Sequence, residues 1–163
     1  MKTIAYIFSK CDSNLPQIKW SIKEYIQPQI HQICLLYCLP ERWYAINDPR
    51  TLLMCTNICK SDYSIRKKKI SNYLNDIEKI IIKEFNSDIK VKKLIICGDE
   101  KYKLRAVLSS LNVEIVILGP DTLTDGLSKY FKKSLDEFVT NDINIPVLRV
   151  PDFRKSKKGG FYL

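Results

Sequence analysis

The sequence predicts an α/β fold, a three-layer sandwich in which helices cover both faces of a five-stranded parallel sheet of the flavodoxin or Rossmann-like kind. Two observations predict it. Between residues 93 and 151, three apolar runs alternate with two amphipathic stretches, and a glycine follows each of the first two runs. The first half of the chain shows the same alternation with longer elements. Strands that alternate with helices of this length pair in parallel, because the chain crosses over through each helix.

The first half begins with a strand, a helix and a second strand. A continuous apolar run, suited to burial on both faces, predicts strand 1 at residues 3–8. Turn and N-cap residues at 11–14 precede helix 1, whose apolar stripe ends before Pro28. A second apolar run predicts strand 2 at about residues 32–39, and Pro40 closes it.

The segment after strand 2 is predicted to be irregular over residues 40–63, with at most a short helix at 51–59. Its length and the aromatic pair Trp43 and Tyr44 make residues 43–59 a candidate cover over a site or a contact surface. A plain connecting segment is the alternative interpretation.

Helix 2 is predicted from about residue 64 to residue 85, because apolar residues recur there at helical spacing. The basic run at residues 66–69 (Arg-Lys-Lys-Lys) opens it. Positive charge at a helix N-terminus opposes the helix dipole, so local stability does not account for the run. It is either a surface that faces an anion or a solvated part of the helix.

The second half completes the alternation. We expect strand 3 at about residues 91–97, helix 3 at 101–111 with Asp99 as its N-cap, strand 4 at 113–118, helix 4 at 124–140 and strand 5 at 147–150. All of these elements belong to one domain, residues 1–151. The basic, glycine-containing residues 152–163 are expected to form a flexible tail.

Right-handed crossovers leave few topologies for five such strands. If strand 4 lies on the far side of strand 1, the strand order is 3-2-1-4-5, and a crevice opens between the carboxyl ends of strands 1 and 4. Residues 9–14 and 119–124 follow those two strands, so the sequence predicts the ligand site there.

The chain has 163 residues and a formal net charge of +9. A basic protein attracts nucleic acid or anionic lipid. The lysines are dispersed, however, whereas a binding footprint is clustered, so we attribute the charge to composition and rank nucleic acid last among the partners. No apolar run approaches the about 20 residues that span a bilayer. The first residues also lack the pattern of a signal peptide, so we expect a cytoplasmic protein without membrane contact.

Six cysteines and one histidine are present. Reduced thiols are the rule in the cytoplasm, and the Cys-x3-Cys spacings at 34/38 and 55/59 differ from the Cys-x2-Cys pairs of zinc sites. His31 has no orienting partner that the sequence identifies, so we expect a structural role for it near the start of strand 2. The sequence therefore predicts no metal site, no catalytic residue and no enzymatic activity.

The most distinctive stretch is GDEKYKLRAVLSSLNVEIVILG at residues 98–119, followed by SLDEFV at 134–139 and IPVLRV at 145–150. These segments resemble the universal stress protein family. That family typically has Gly-Asp-Pro after strand 3, an Asp-Leu-Ile-Val-Met-Gly strand, and closing segments such as Ser-Val-Ser-Glu-Tyr-Val and Cys-Pro-Val-Leu-Val-Val. The resemblance covers about residues 1–151, rests on element order alone in the first half, and implies the adenine nucleotide alpha hydrolase-like fold.

The nucleotide-binding branch of that family carries an aspartate after strand 1 and the motif Gly-x2-Gly-x9-Gly-Ser/Thr after strand 4. Backbone amides of the glycines and a helix N-terminus hold the phosphates there. This chain departs from the pattern, since Pro120 has no N–H to donate and Asp121 adds a carboxylate where phosphate would lie. The resemblance therefore implies no tight binding of ATP and no required cofactor, with ATP or AMP as the alternative. In this chain Ser9 or Phe8 stands in place of the aspartate, and Thr122 and Lys133 stand in place of the second and third glycines. The candidate binding residues are therefore Ser9 (or Phe8), Lys10, Cys38, Gly119, Pro120, Asp121, Thr122, Lys133 and Ser134.

The sequence supports three functions, of which we favour the first. The first is a non-catalytic regulatory or stress-response domain. In the resembled family strand 5 commonly pairs with a second copy, which implies a homodimer through Val147, Leu148, Arg149 and Val150. The second is an adenine-nucleotide-binding module or weak ATPase. The third is a basic nucleic-acid-associated protein, suggested by the net charge, residues 66–69 and the tail at 154–158.

Overall fold

A computed structural model describes residues 1–8, 15–40, 49–85, 88–98, 100–118 and 135–150. Five strands and four helices alternate along these residues. In chain order they are β1 Lys2–Phe8, α1 Leu15–Tyr25, β2 His31–Pro40, α2 Pro49–Glu84, β3 Val91–Gly98, α3 Glu100–Ser110, β4 Val113–Leu118, α4 Leu135–Asp142 and β5 Val147–Arg149.

The strands form one parallel sheet in the order β3-β2-β1-β4-β5, which confirms the predicted topology. β1 is the central strand, and Ile4 pairs with Ile33 of β2 on one side and with Ile115 of β4 on the other. Every residue of β1 after Lys2 is buried, because both faces of the sheet are covered.

Alternate residues of each strand supply two separate cores, which confirms the three-layer sandwich. Ile4 and Tyr6 of β1 point to the face that α1 and α2 cover, where they belong to one cluster with Ile22 and Leu74. Residues of the opposite parity, such as Ala5, belong to the cluster under α3 and α4. The sheet therefore lies in the middle of the domain.

Helix α2 differs from the prediction, because it runs without interruption from Pro49 to Glu84. The expectation that residues 49–63 are irregular, with at most a short helix at 51–59, is therefore wrong. The physical reason is that Pro49 starts the helix: proline favours the first helical position, where its missing N–H costs nothing. Residues 41–48, including Trp43 and Tyr44, lie outside the described part of the chain.

The longer helix also changes the meaning of the basic run at residues 66–69. The run lies nearly five turns inside α2 rather than at its beginning. The helix dipole acts mainly on the terminal turns, so the predicted conflict with the dipole does not exist.

The remaining boundaries agree with the prediction to within a residue or two, apart from helix 4. The structure describes that helix only as Leu135–Asp142, and the expected beginning at residues 124–134 lies outside the described residues. The predicted N-cap Asp99 and the predicted tail at 152–163 also lie outside them. None of the described helices combines the length and the apolar character needed to cross a bilayer.

A buried hydrogen bond joins the central strand to α1. The Tyr6 hydroxyl and Ser21 Oγ are 2.7 Å apart, and Ser21 Oγ donates to the carbonyl of Ile18 at 3.0 Å. A serine hydroxyl carries one hydrogen, so Tyr6 donates to Ser21. Burial raises the pKa of Tyr6 well above its usual range, so the phenol stays protonated and remains a donor.

We expect Ser21→Ala to destabilise the fold by about 1–3 kcal/mol, because it removes the acceptor of a buried hydroxyl. Tyr6→Phe should cost less, about 1 kcal/mol, because Ser21 keeps its bond to Ile18. Urea unfolding of both variants and of the double variant measures the difference. The double variant should resemble Tyr6→Phe, and equal losses in the two single variants would contradict the assigned donor.

Candidate functional site

The candidate site lies at the carboxyl edge of the sheet, between β1 and β4. Their ladder reaches this edge with the pair Ile7 and Leu118, and the chain leaves both strands there. β2 continues the sheet on one side of this point and β5 on the other, so it is the position at which the strand order reverses. Parallel sheets bind ligands in the crevice that such a reversal opens.

An apolar floor supports this edge. Phe8, the last residue of β1, is buried; its ring stacks on Tyr6 and meets the edge of Tyr73 from α2 at 5.7 Å between ring centres. Leu118 at the end of β4 is buried as well. These buried residues fix the positions of the strand ends at which the two predicted binding loops begin.

Most of the predicted binding residues belong to those loops or to the predicted first part of helix 4, and they lie outside the described residues. They are Ser9, Lys10, Gly119, Pro120, Asp121, Thr122, Lys133 and Ser134. Their role in binding stays a prediction.

Cys38 is described by the structure, as is Phe8, the buried alternative to Ser9. Cys38 lies near the carboxyl end of β2, next to β1 in the sheet, and its side chain is buried in the core under α3 and α4. A ligand in the crevice would therefore meet its backbone rather than its thiol. Cys34 lies four residues earlier on the same face of β2, and burial raises the pKa of its thiol to about 11. These two free cysteines pack as small apolar side chains.

Two helices are fastened to the same edge at the end of β3. Tyr63 of α2 donates a hydrogen bond from its hydroxyl to Cys97 Sγ at 2.9 Å. Lys103 of α3 donates from Nζ to the backbone carbonyl of Cys97. The sequence interpretation missed both contacts. The signal in the sequence was the seven-residue spacing between Tyr63 and Ile70, which continues the inward stripe of α2 by two turns.

The opposite edge of the sheet contains a polar cluster that the sequence interpretation also missed. His31 Nδ1 accepts a hydrogen bond from the backbone N–H of Gln27 at 3.0 Å, and His31 Nε2 lies 3.5 Å from a carboxylate oxygen of Glu114. Lys2 Nζ donates to the other oxygen of that carboxylate at 2.6 Å. The expectation that His31 has no orienting partner is therefore wrong, although its place at the start of β2 is as expected.

This amino-edge cluster joins three neighbouring strands. Lys2 starts β1, His31 starts β2 and Glu114 lies in β4. The hydrogen bond from Lys2 is the main reason that the pKa of Glu114 is lowered, and His31 adds to the effect. The partners were not apparent from the sequence because more than 80 residues separate Glu114 from each of them.

The described residues contain no group of three or more histidine, cysteine, aspartate or glutamate side chains placed to hold a metal ion.

Comparison with known proteins shows what this architecture is similar to. No protein-family model matches the sequence, and no curated protein matches it. Solved structures do. The universal stress protein UspA from Lactobacillus plantarum superposes with a TM-score of 0.60 at 11% identity, over 92% of this chain and 97% of that one.

Two further similar structures contain a nucleotide. A universal stress protein in complex with cAMP has a TM-score of 0.55 at 12% identity, over 91% of this chain and 95% of that one. The universal stress protein from Archaeoglobus fulgidus in complex with dAMP has a TM-score of 0.52 at 10% identity, over 93% and 98% of the two chains. The chain therefore has the universal stress protein fold along nearly its whole length.

We expect the amino-edge cluster to make stability depend on pH. The pKa of Glu114 is lower in the folded chain than its ordinary value of 4.5, so the ionised carboxylate stabilises the fold. That contribution is complete above pH 4.5 and is lost as the pH falls through the lower folded value. Urea unfolding of the native chain and of Glu114→Gln should therefore show a difference at neutral pH that shrinks in acid.

Lys2→Gln is the matched control, because it keeps the carboxyl group and removes the main cause of its lowered pKa. Its stability should lose most of the same acid dependence. A difference between the native chain and Glu114→Gln that stays constant from neutral to acidic pH would contradict the role of the cluster.

Proposed function

We propose that the chain is a non-catalytic regulatory domain of the universal stress protein type, which acts in the cytoplasm as a homodimer and does not bind ATP tightly. The observation that supports this most is the sheet order β3-β2-β1-β4-β5 together with a similarity that covers nearly the full length of both this chain and universal stress proteins. In that fold, the crevice between β1 and β4 is where a ligand would bind.

The position of the histidine supports a non-catalytic role. The chain has a single histidine, which is the commonest general base in enzymes. His31 lies at the amino edge, on the far side of the sheet from the crevice, and Gln27 and Glu114 hold both of its ring nitrogens. It is therefore in no position to assist a reaction at the carboxyl edge.

Adenine-nucleotide binding is the second candidate function, because similar structures hold cAMP and dAMP. Residues Pro120 and Asp121 argue for weak binding at most. A proline in place of an amide donor and a carboxylate beside phosphate each cost about 1–3 kcal/mol. Two such losses weaken a site by about 1.5 to 4 decades, at about 1.4 kcal/mol per decade.

Isothermal titration should therefore show no binding of ATP tighter than about 100 µM to the native chain. The variant Pro120→Gly with Asp121→Asn restores a donor and removes a charge, so it should bind ATP at least about tenfold more tightly. The matched control, Pro28→Gly with Asp88→Asn, makes the same chemical changes away from the predicted loops and should leave the affinity unchanged. Micromolar binding by the native chain would refute the proposed weak site, and no gain in the first variant would show that these two residues are not the cause.

The geometry of β5 supports the homodimer. β5 is an edge strand, and among the described residues it pairs only with β4. The carbonyl of Pro146 and the N–H of Val150 bond to β4, so by alternation the backbone groups of Val147 and Arg149 face the other way. An edge strand with outward-facing backbone groups and two half-buried apolar side chains favours pairing with another strand.

A proline at position 149 tests the homodimer. Arg149→Pro removes an outward N–H without breaking a bond to β4, so we expect a monomer in sedimentation at micromolar concentration, whereas the native chain sediments as a dimer. Arg149→Ala controls for the lost guanidinium, which donates to Thr140 Oγ1 at 3.1 Å, and should remain dimeric. A monomeric native chain would exclude the dimer, and a dimeric Arg149→Pro would exclude β5 as its interface.

A further inference from the structure

Strand β3 forms the edge of the sheet opposite β5, and the proposed function does not use it. Within the described part of the chain, β3 pairs only with β2, over eight positions from Val91 to Gly98. β5 pairs with β4 over three positions. The outer edge of a sheet presents a row of backbone N–H and carbonyl groups, so β3 offers the longer of the two rows.

The phase of the ladder determines which backbone groups of β3 face away from β2. The N–H of Ile33 in β2 donates to the carbonyl of Lys90 at 2.9 Å, so the carbonyl just before β3 faces β2. The direction of these groups alternates from one residue of a strand to the next. Val91, Lys93 and Ile95 therefore turn their N–H and carbonyl groups outward.

The contact at the end of β3 agrees with this phase. Cys97 has the same parity as the three outward residues, and its carbonyl accepts a hydrogen bond from Lys103 Nζ of α3 rather than from β2. The backbone groups of Val91, Lys93 and Ile95 form no hydrogen bond with any other described residue. A further strand would therefore find a row of outward groups that ends at Lys103.

The side of this edge that faces α3 is cationic. Lys92 pairs in register with Cys34, whose side chain lies in the core under α3 and α4, so Lys92 lies on that side and is exposed. Lys90 has the same parity and is exposed, and Lys103 reaches the edge from α3. Asp88 is close in the sequence, but no carboxylate of the described ranges forms an ion pair with these three lysines.

The side of the edge that faces α2 is apolar. Val91 and Ile95 are half-buried and pack against the core under α1 and α2. Lys93 lies between them, donates to Asn75 Oδ1 at 2.8 Å and forms an ion pair with Glu78. Its charge is therefore neutralised within the fold.

The difference between the two sides selects the chemistry of an added strand. Side chains of a strand alternate between the two faces of a sheet, so acidic residues would meet the lysines while apolar residues meet Val91 and Ile95. A second copy of β3 is a poor occupant, because lysines along an edge discourage it from pairing with itself. Residues 152–163 of this chain are basic and unsuitable for the same reason.

We propose that β3 is a docking site for an extended acidic segment of a partner protein, in which acidic and apolar residues alternate and which adds a sixth strand to the sheet. Backbone hydrogen bonds supply the affinity of such a complex, and the alternating side chains supply its selectivity. The site is separate from the crevice between β1 and β4 and lies at the other edge of the sheet from β5, so it requires neither a nucleotide nor a dimer.

Fluorescence anisotropy with a labelled peptide of sequence Glu-Val-Glu-Val-Glu-Val-Glu, capped at both ends, tests the charge of the partner. The native chain should bind this peptide. A peptide with lysine in place of every glutamate should bind at least about tenfold more weakly, because like charges would face one another. A synthetic peptide of residues 152–163 should also bind more weakly than the acidic peptide.

Methylation of backbone nitrogens in the acidic peptide separates strand addition from simple charge attraction. Alternate N–H groups of an added strand face β3, and the others face solvent. Of two peptides, one methylated at its valine nitrogens and the other at its internal glutamate nitrogens, one should therefore bind at least about tenfold more weakly than the parent. The other should bind within about threefold, because it keeps every bond to β3.

The variant Lys90→Gln with Lys92→Gln should bind the acidic peptide about fivefold more weakly, because it removes two exposed ion pairs. The matched control is Lys19→Gln with Lys23→Gln, which removes the same charge from two exposed positions on α1 and should bind within about twofold of the native chain. Lys90→Arg with Lys92→Arg keeps the charge and should bind as the native chain does.

Hydrogen exchange locates the peptide. Bound peptide should slow exchange at the outward amides of Val91, Lys93 and Ile95. The proposal would be overturned by no binding of the acidic peptide, by protection at β5 instead of β3, or by equal losses for the two methylated peptides or for the two glutamine variants. Binding of the lysine peptide, or of residues 152–163, as tight as that of the acidic peptide would equally overturn it, because charge would then not select the partner.

Discussion

The central strand β1 hydrogen-bonds to β2 on one side and to β4 on the other, and it is buried on both faces. Its backbone groups are satisfied only if both neighbours are present, and its side chains divide between the two cores. Each of the two halves of the domain therefore needs the other. The crevice exists because the chain runs from β1 to β2 and β3 on one side of the sheet and then crosses to β4 on the other side of β1.

The two edges of the sheet have different characters because of this arrangement. The amino edge is held by side chains: Lys2, His31 and Glu114 join three strands, and the Thr3 hydroxyl donates to the carbonyl of Leu111 at 2.7 Å. At the carboxyl edge, the ends of β1 and β4 rest on buried apolar residues, and the described polar contacts lie at the ends of β3 and β5. The structure thus concentrates its polar cross-links away from the crevice, where a ligand would compete with them.

The sequence predicts this fold well where local signals and tertiary packing agree. In the second half, glycines follow the strands and mark where they end, so the sequence predicts the strand and helix boundaries there closely. In the first half, Pro49 falls in the segment that the sequence predicts to be irregular, although proline also suits the first position of a helix. The ion cluster around Glu114 depends on contacts between distant residues, which no local pattern reveals. The candidate binding residues were inferred from a departure from a family motif, and most of them lie in segments outside the described residues.

The ladders of the sheet differ greatly in length. β2 and β3 share eight paired positions, whereas β4 and β5 share three. Local opening follows the number of contacts that must be broken, so the free energy of opening should decline across the sheet from the β3 side to the β5 side. Hydrogen exchange at the amides of β5 therefore reports on the most weakly held part of the sheet. A partner that covers β5 would bind where the sheet opens most easily, so even a small binding energy would suppress most of that opening.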